Sequence, residues 1–151
     1  MIRRPPRSTQ SRSSAASDVY KRQQGTIALA AGDSTDNDIV MFAPIPSNAS
    51  ITAIKVASDA LGGSCTFNIG LYQTDGTVVD EDFYASSVAD GTTAVADLRT
   101  EAADINTIGA KVFENAGASA DPGGYYYVAA TFNATGGTAG DMSFIIEYVI
   151  N

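Results

Sequence analysis

The sequence predicts an all-β domain, namely a two-sheet antiparallel β-sandwich of about eight strands with a jelly-roll-like arrangement. Large apolar residues occur in short runs and alternate with small or polar residues, which is the period of a strand with one buried face. Turn sequences rich in Gly, Asp and Pro separate these runs at spacings of about 8–15 residues. Only one stretch, residues 102–115, has helical character.

Two runs show the alternation most clearly. In residues 66–72, Phe67, Ile69 and Leu71 alternate with polar or small residues, which predicts a half-buried strand. In residues 142–150 one face is apolar throughout, whereas the other combines Ile145 with Glu147. This partly apolar second face predicts either a central strand or a strand covered by a neighbouring subunit.

The remaining elements lie between the turn sequences. Six further strands are predicted, at residues 26–31, 38–44, 50–58, 78–88, 93–100 and 125–133. The helical turn is expected at residues 103–109 (ADINTIG), and the KVFENAG that follows is ambiguous between helix and strand. No internal repeat or domain linker interrupts the pattern.

The first 23 residues differ from the rest, because they hold six of the nine basic residues and one of the seventeen acidic residues. Such a basic arm is typical of a nucleic-acid-binding tail, and its Arg and Ser content is also typical of a transit peptide. Pro5 and Pro6 argue against the amphipathic helix of a transit peptide, and the apolar region of a signal peptide is missing.

A different origin explains the arm better. Back-translated, residues 1–9 resemble the reading frame of a flow-cell primer used in short-read sequencing, and residues 13–23 resemble the matching transposase-type adapter. Residues 10–12 fill the position of the sample index. We therefore expect residues 1–23 to be a disordered, non-native segment of metagenomic origin. Residues 24–151 are then a single β-sandwich domain whose native start lies near or before Gln24.

Without the arm, the charge is strongly negative: residues 24–151 contain three basic and sixteen acidic residues. A domain of this charge repels nucleic acid, so we expect no nucleic-acid partner. No apolar run approaches the roughly 18–20 residues of a membrane-spanning helix, so we expect no membrane partner.

The composition also argues against catalysis. The chain has no histidine, which removes Ser-His-Asp and Cys-His catalysis and most zinc sites. The densest group of carboxylates is Asp80, Glu81 and Asp82, and Asp80 and Asp82 share a face of a strand. A solvated rim is the preferred interpretation, and a carboxylate pair of a small hydrolase is the alternative. We predict no catalytic residue, no cofactor and no enzymatic activity.

Three other groups of residues are possible functional sites, and for each a structural role is preferred. The oxygen donors of Asp33, Asp36 and Asp38 are compatible with a calcium ion, but the spacing is not that of an EF-hand, so an ordinary acidic loop is preferred and no metal ligand is assigned. Cys65 is predicted to be a small buried residue. In residues 125–127, alternation places Tyr126 opposite its two neighbours, which favours a core residue flanked by an interface rim over a sugar platform.

Several segments resemble a family of small structural proteins of tailed-phage virions, often encoded near the capsid genes. They are residues 51–88 (ITAIKVASDALGGSCTFNIGLYQTDGTVVDEDFYASSV), 101–132 and 140–151, with their Ser-Asp-Ala-Leu-Gly, Gly-Leu-Tyr, Asp-Gly and Asp-Pro-Gly-Gly sequences. One departure is residues 46–49 (PSNA), where the family more often has Pro-Lys-Gly-Ala, so a base is lost before the next strand.

The resemblance implies a virion protein located on the phage head surface, a capsid decoration or minor capsid protein. Its implied partners are the major capsid protein or other virion proteins, and a homo-oligomer, with a trimer as one possibility. The alternative is a tail-associated module of the same sandwich type that binds a receptor or a glycan. Two Asn-X-Ser/Thr sequences, at Asn48 and Asn133, are not expected to be used for glycosylation.

Overall fold

A computed structural model describes residues 19–91, 96–97 and 109–150. In this part of the chain there are eight strands and one short helix. They are β1 (Val19–Leu29), β2 (Ile39–Pro46), β3 (Ala49–Ser58), β4 (Thr66–Tyr72), β5 (Val78–Ala89), β6 (Ala96–Asp97), α1 (Val112–Asn115), β7 (Tyr125–Phe132) and β8 (Gly140–Ile150). The strands follow the alternating runs, because side chains that alternate in polarity fit a sheet with one face towards a core.

The strands form two four-stranded sheets. One sheet has the order β1-β8-β3-β6 and the other has the order β2-β7-β4-β5. All pairs are antiparallel, and the first strand pairs with the eighth, the second with the seventh, the third with the sixth and the fourth with the fifth. The predicted all-β, two-sheet antiparallel sandwich is confirmed.

The core lies between the inward faces of the two sheets. Ile54 and Ile146 from the first sheet and Ile45 and Val128 from the second are fully buried. The rings of Phe42 (β2) and Phe144 (β8) stack across the sheets with centroids 4.9 Å apart. Aromatic pairs of this kind add about 0.5–1.5 kcal/mol beyond the area that they bury.

Strand β8 occupies the interior of its sheet, between β1 and β3. Its inward residues Met142, Phe144 and Ile146 are buried, and its outward residues, including Ile145 and Glu147, are partly exposed. Of the two interpretations of its mixed outer face, the central strand is therefore the one that the structure supports.

The expectation that β4 is half-buried is wrong, because both of its faces are buried. Asn68 and Tyr72 point away from the core yet are 6% and 0% exposed. The Asn68 side chain accepts a hydrogen bond from the Ser87 N–H of β5 (2.9 Å). Next to it β5 forms a bulge: Leu71 pairs with Asp80 and Ile69 with Ala85, so four residues of β5 (81–84) lie opposite a single glycine, Gly70. The backbone of Asp80 and Glu81 folds over that glycine.

One boundary differs from prediction, and two other predictions fall mostly outside the described residues. Residues 19–23, expected to be disordered, belong to β1, and they pair with β8 through backbone groups that any sequence supplies. Within KVFENAG, which the sequence leaves ambiguous, a helix is described at Val112–Asn115. Of the strand expected at residues 93–100, Ala96 and Asp97 are described as a strand. The rest of that strand, ADINTIG up to residue 108 and residues 1–18 lie outside the described residues.

The close contact at Gly70 predicts that a larger side chain at this position destabilises the fold. A Cβ atom at this position would overlap the backbone of Asp80 and Glu81, so Gly70→Ala must displace the bulge. We expect a loss of about 2–3 kcal/mol in the free energy of unfolding, measured by urea denaturation. Gly32→Ala is the matched control, because a Cβ there meets no atom within 4 Å. Equal urea midpoints for the two variants would contradict the packing described.

Candidate functional site

The acidic loop between β1 and β2 folds around its own carboxylates. The Asp33 carboxylate accepts a hydrogen bond from the Ala30 N–H (2.8 Å), and the Asp38 carboxylate accepts one from the Thr35 N–H (2.9 Å). The Asp36 N–H donates to the Thr135 hydroxyl (3.2 Å). These are the bonds of acidic residues that cap local turns, which is the preferred interpretation of the loop.

The structure does not gather these carboxylates around one point. Within residues 19–91, 96–97 and 109–150, no group of three or more His, Cys, Asp or Glu side chains is arranged to hold a metal ion. The calcium alternative for Asp33, Asp36 and Asp38 therefore receives no support from the described geometry.

A groove of about 480 Å³ opens beside this loop, between the edge strands β1 and β2 of the two sheets. We call it the edge groove. Its lining includes apolar and acidic residues: the apolar ones are Ile27, Leu29, Ile39, Val40 and Met41, and the acidic ones are Asp33 and Asp38. Ile39 is 40% exposed, a large value for an isoleucine in a strand. The edge groove therefore combines apolar surface with negative charge.

The carboxylates of residues 80–82 lie on the β5 bulge rather than in the edge groove. Asp80 is partly buried, and Glu81 and Asp82 are exposed. Burial first, and then the hydrogen bond with the Asp82 carboxyl, raises the pKa of Asp80. Asp80 and Asp82 are therefore close together, as their spacing predicts. They lie on the edge strand β5, where Glu81 and Asp82 are exposed, whereas a hydrolase needs a concave site that holds its substrate.

The three tyrosines of β7 alternate as predicted. Tyr126 is 6% exposed and belongs to the core, whereas Tyr125 is 55% exposed and Tyr127 faces outward with it. The prediction of a core residue with outward neighbours is confirmed for Tyr126. A platform for a ligand on this strand has to use Tyr125 and Tyr127.

The structure also gives the surroundings of Cys65 and Asn133, two residues that the sequence analysis considered. Cys65 is 1% exposed, which confirms that it is a small buried residue, and burial raises the pKa of its thiol. The side-chain amide of Asn133 donates a hydrogen bond to the Asn68 side chain (2.7 Å), so the nitrogen of this glycosylation sequence is already engaged.

A contact that the sequence did not predict joins the β2–β3 turn to the Asp-Pro-Gly-Gly turn before β7. The Ser47 hydroxyl, on a residue only 2% exposed, donates to the Asp121 carboxylate (2.6 Å), and the Gly123 N–H donates to the same oxygen (2.9 Å). The Phe113 N–H of α1 donates to the Ser47 carbonyl (3.0 Å). No local sequence signal indicates this contact, because Ser47 and Asp121 are 74 positions apart.

In the part of the chain that the structure describes, no helix has the length and the apolar composition needed to cross a membrane.

Asp121 gives a prediction on pH dependence. The hydrogen bond from Ser47, then the one from Gly123, holds the pKa of Asp121 below its usual range. A lowered pKa stabilises the fold above the ordinary pKa of an aspartate, about 3.9, and this contribution is lost as the pH falls through the lowered value. We expect Asp121→Asn to melt below the parent chain at pH 7 and to converge with it in acid, measured by thermal unfolding. In a Ser47→Ala background the difference should shrink; an unchanged difference would contradict the assignment.

Asp80 gives a prediction in which stability changes with pH in the opposite direction. Because its pKa is raised, the folded chain is favoured when this carboxyl is protonated, and that benefit is lost as the pH rises through the raised value. We expect Asp80→Asn to melt above the parent chain at pH 7, with the gap closing as the pH falls towards about 3.9. Thermal unfolding at each pH measures the difference. A variant that melts below the parent chain at pH 7 would contradict the partly buried position of this carboxyl.

Comparison with known proteins adds one finding on the fold. No protein-family model and no curated protein matches the sequence. Among solved structures, the chain is similar to a chain of "Cyanophage Pam1 capsid asymmetric unit", with a TM-score of 0.61 and 17% sequence identity. The similarity covers 100% of this chain and 94% of that chain, so it extends over the whole sandwich rather than one of its sheets.

Proposed function

We propose that this chain is a non-enzymatic structural protein of a phage particle, which decorates the head or serves as a minor capsid protein. The observation that carries the proposal is the full-length fold similarity to a chain of a cyanophage capsid asymmetric unit. At 17% identity this similarity concerns the fold, and the step to a virion role is ours.

The strand order supports the same function. When the first strand pairs with the eighth, the second with the seventh, the third with the sixth and the fourth with the fifth, the chain is one long folded hairpin wrapped into two sheets. This is the arrangement expected of a jelly roll, which is frequent in viral capsid and lectin domains. We infer that the sandwich is of this type.

The charge distribution suits the outside of a particle. Residues 24–151 contain three basic and sixteen acidic residues, so the domain repels packaged nucleic acid and has little tendency to precipitate. Partners of this surface would be the major capsid protein or other virion proteins, and we propose a homo-oligomer, such as a trimer, on the head surface.

A tail-associated module that binds a receptor or a glycan is the second candidate. One observation favours it: Tyr125 is 55% exposed, and Tyr127 is on the same outward face of β7. Tyrosines of this kind supply apolar area with a polar end, which suits both sugars and protein partners.

Labelling of purified particles tests the proposal. An antibody raised against the chain should label intact heads in electron microscopy, and the chain should copurify with the major capsid protein through a density gradient. Labelling confined to tails would favour the receptor- or glycan-binding candidate. Particles that contain the major capsid protein but lack this chain would overturn both. Particles of a phage that lacks the gene are the control for the antibody.

A further inference from the structure

The edge groove has three properties that together select one kind of occupant. They are apolar lining residues, two acidic lining residues and a strand edge with backbone donors directed outward. We propose that the edge groove binds an extended segment of a neighbouring virion protein, in which Lys or Arg accompanies apolar side chains. The identity of this partner as a virion protein rests on the proposed function; the chemistry of the segment does not.

The backbone donors come from β2. The Phe132 N–H donates to the Asp38 carbonyl across the ladder, and ladder bonds of an antiparallel pair involve every second residue. The N–H groups of Ile39 and Met41 are therefore directed away from β7, towards the outer edge. Among the described strands, β7 is the sole sheet neighbour of β2, so this edge accepts an added strand.

Farther along β2 the same edge is closed. Pro44 and Pro46 have no N–H, and the Ser47 N–H donates inward to the Gly124 carbonyl, which places both prolines at outward positions. Prolines on an edge strand prevent pairing with other chains. An added strand therefore pairs at Ile39 and Met41, where β2 lines the edge groove.

The side chains select the composition of the segment. Ile27, Ile39 and Met41 offer apolar contacts, whereas the carboxylates of Asp33 and Asp38 favour a cation. A second copy of this chain is a poorer match, because the described edge strands that lie wholly within residues 24–150 contain no Lys or Arg; they are β2, β5 and β6. Lys21 and Arg22 in β1 make self-association an outcome to be tested.

The experiment uses the full chain and two synthetic eight-residue peptides, one alternating Val with Arg and one alternating Val with Glu. Titration followed by NMR should shift the amide signals of Ile39 and Met41 with the Arg peptide, and the Glu peptide should not bind. Met41→Pro removes an outward donor and should weaken binding about tenfold, whereas Met41→Leu should bind as the parent does.

Charge is tested separately, with variants that keep the turn. Asp33→Asn combined with Asp38→Asn preserves an oxygen that can cap the loop and removes both charges, so we expect binding about tenfold weaker. Glu81→Gln combined with Asp82→Asn removes two charges from the β5 bulge and should leave binding unchanged. If Met41→Pro does not fold, this pair of double variants decides the question.

Four results overturn the proposal. They are no binding of the Arg peptide, equal binding of the Glu peptide, binding that falls equally in both double variants, and self-association of the parent chain that is lost in the groove variants. The last result would assign the edge groove to a second copy. A chain that does not bind the Arg peptide can still label particles, and a chain that is absent from particles can still bind the peptide. The failure of this inference is therefore distinguishable from the failure of the proposed function.

Discussion

The interleaving of two apolar faces is the constraint on which the rest of this molecule depends. β8 contributes Met142, Phe144 and Ile146 from the interior of one sheet, and Phe144 stacks on Phe42 of the other. Because a one-residue slip would turn these side chains outward, the pairing of β8 with β1 and β3 fixes which face of each neighbour is buried. The loops and the edge groove are placed by this register.

Much of this arrangement can be predicted from local sequence. Alternation in β4 and β8 and the Gly- and Asp-rich turns predict the strands, because both signals depend on near neighbours along the chain. The β5 bulge was not predictable in the same way. It depends on a contact between Gly70 and Asp80 on two different strands, and the residues next to either one in the sequence do not indicate that contact. The burial of both faces of β4 likewise depends on contacts between strands, such as that of Asn68 with the Ser87 N–H.

The candidate sites divide in the same manner. The inward position of Tyr126 and the burial of Cys65 follow from alternation, so the sequence was sufficient. The bond between Ser47 and Asp121 joins residues 74 positions apart, and the edge groove is formed by strands of different sheets. Only the tertiary fold brings such groups together. The acidic loop lies between these cases: its residues suggest either a cap or a metal site, and the bonds to the Ala30 and Thr35 N–H groups identify caps.

The edges of the sandwich connect its fold to its proposed role. An exposed strand edge pairs readily with any other chain, and proteins close such edges unless pairing is useful. Here β5 carries an acidic bulge, and the second half of β2 carries Pro44 and Pro46; both features oppose pairing. The near half of β2, at Ile39 and Met41, has no proline, lies before the register shift between Met41 and Ala43, and borders the edge groove. A subunit that must add to a particle at one place, and remain dispersed otherwise, needs this distribution of closed and open edges.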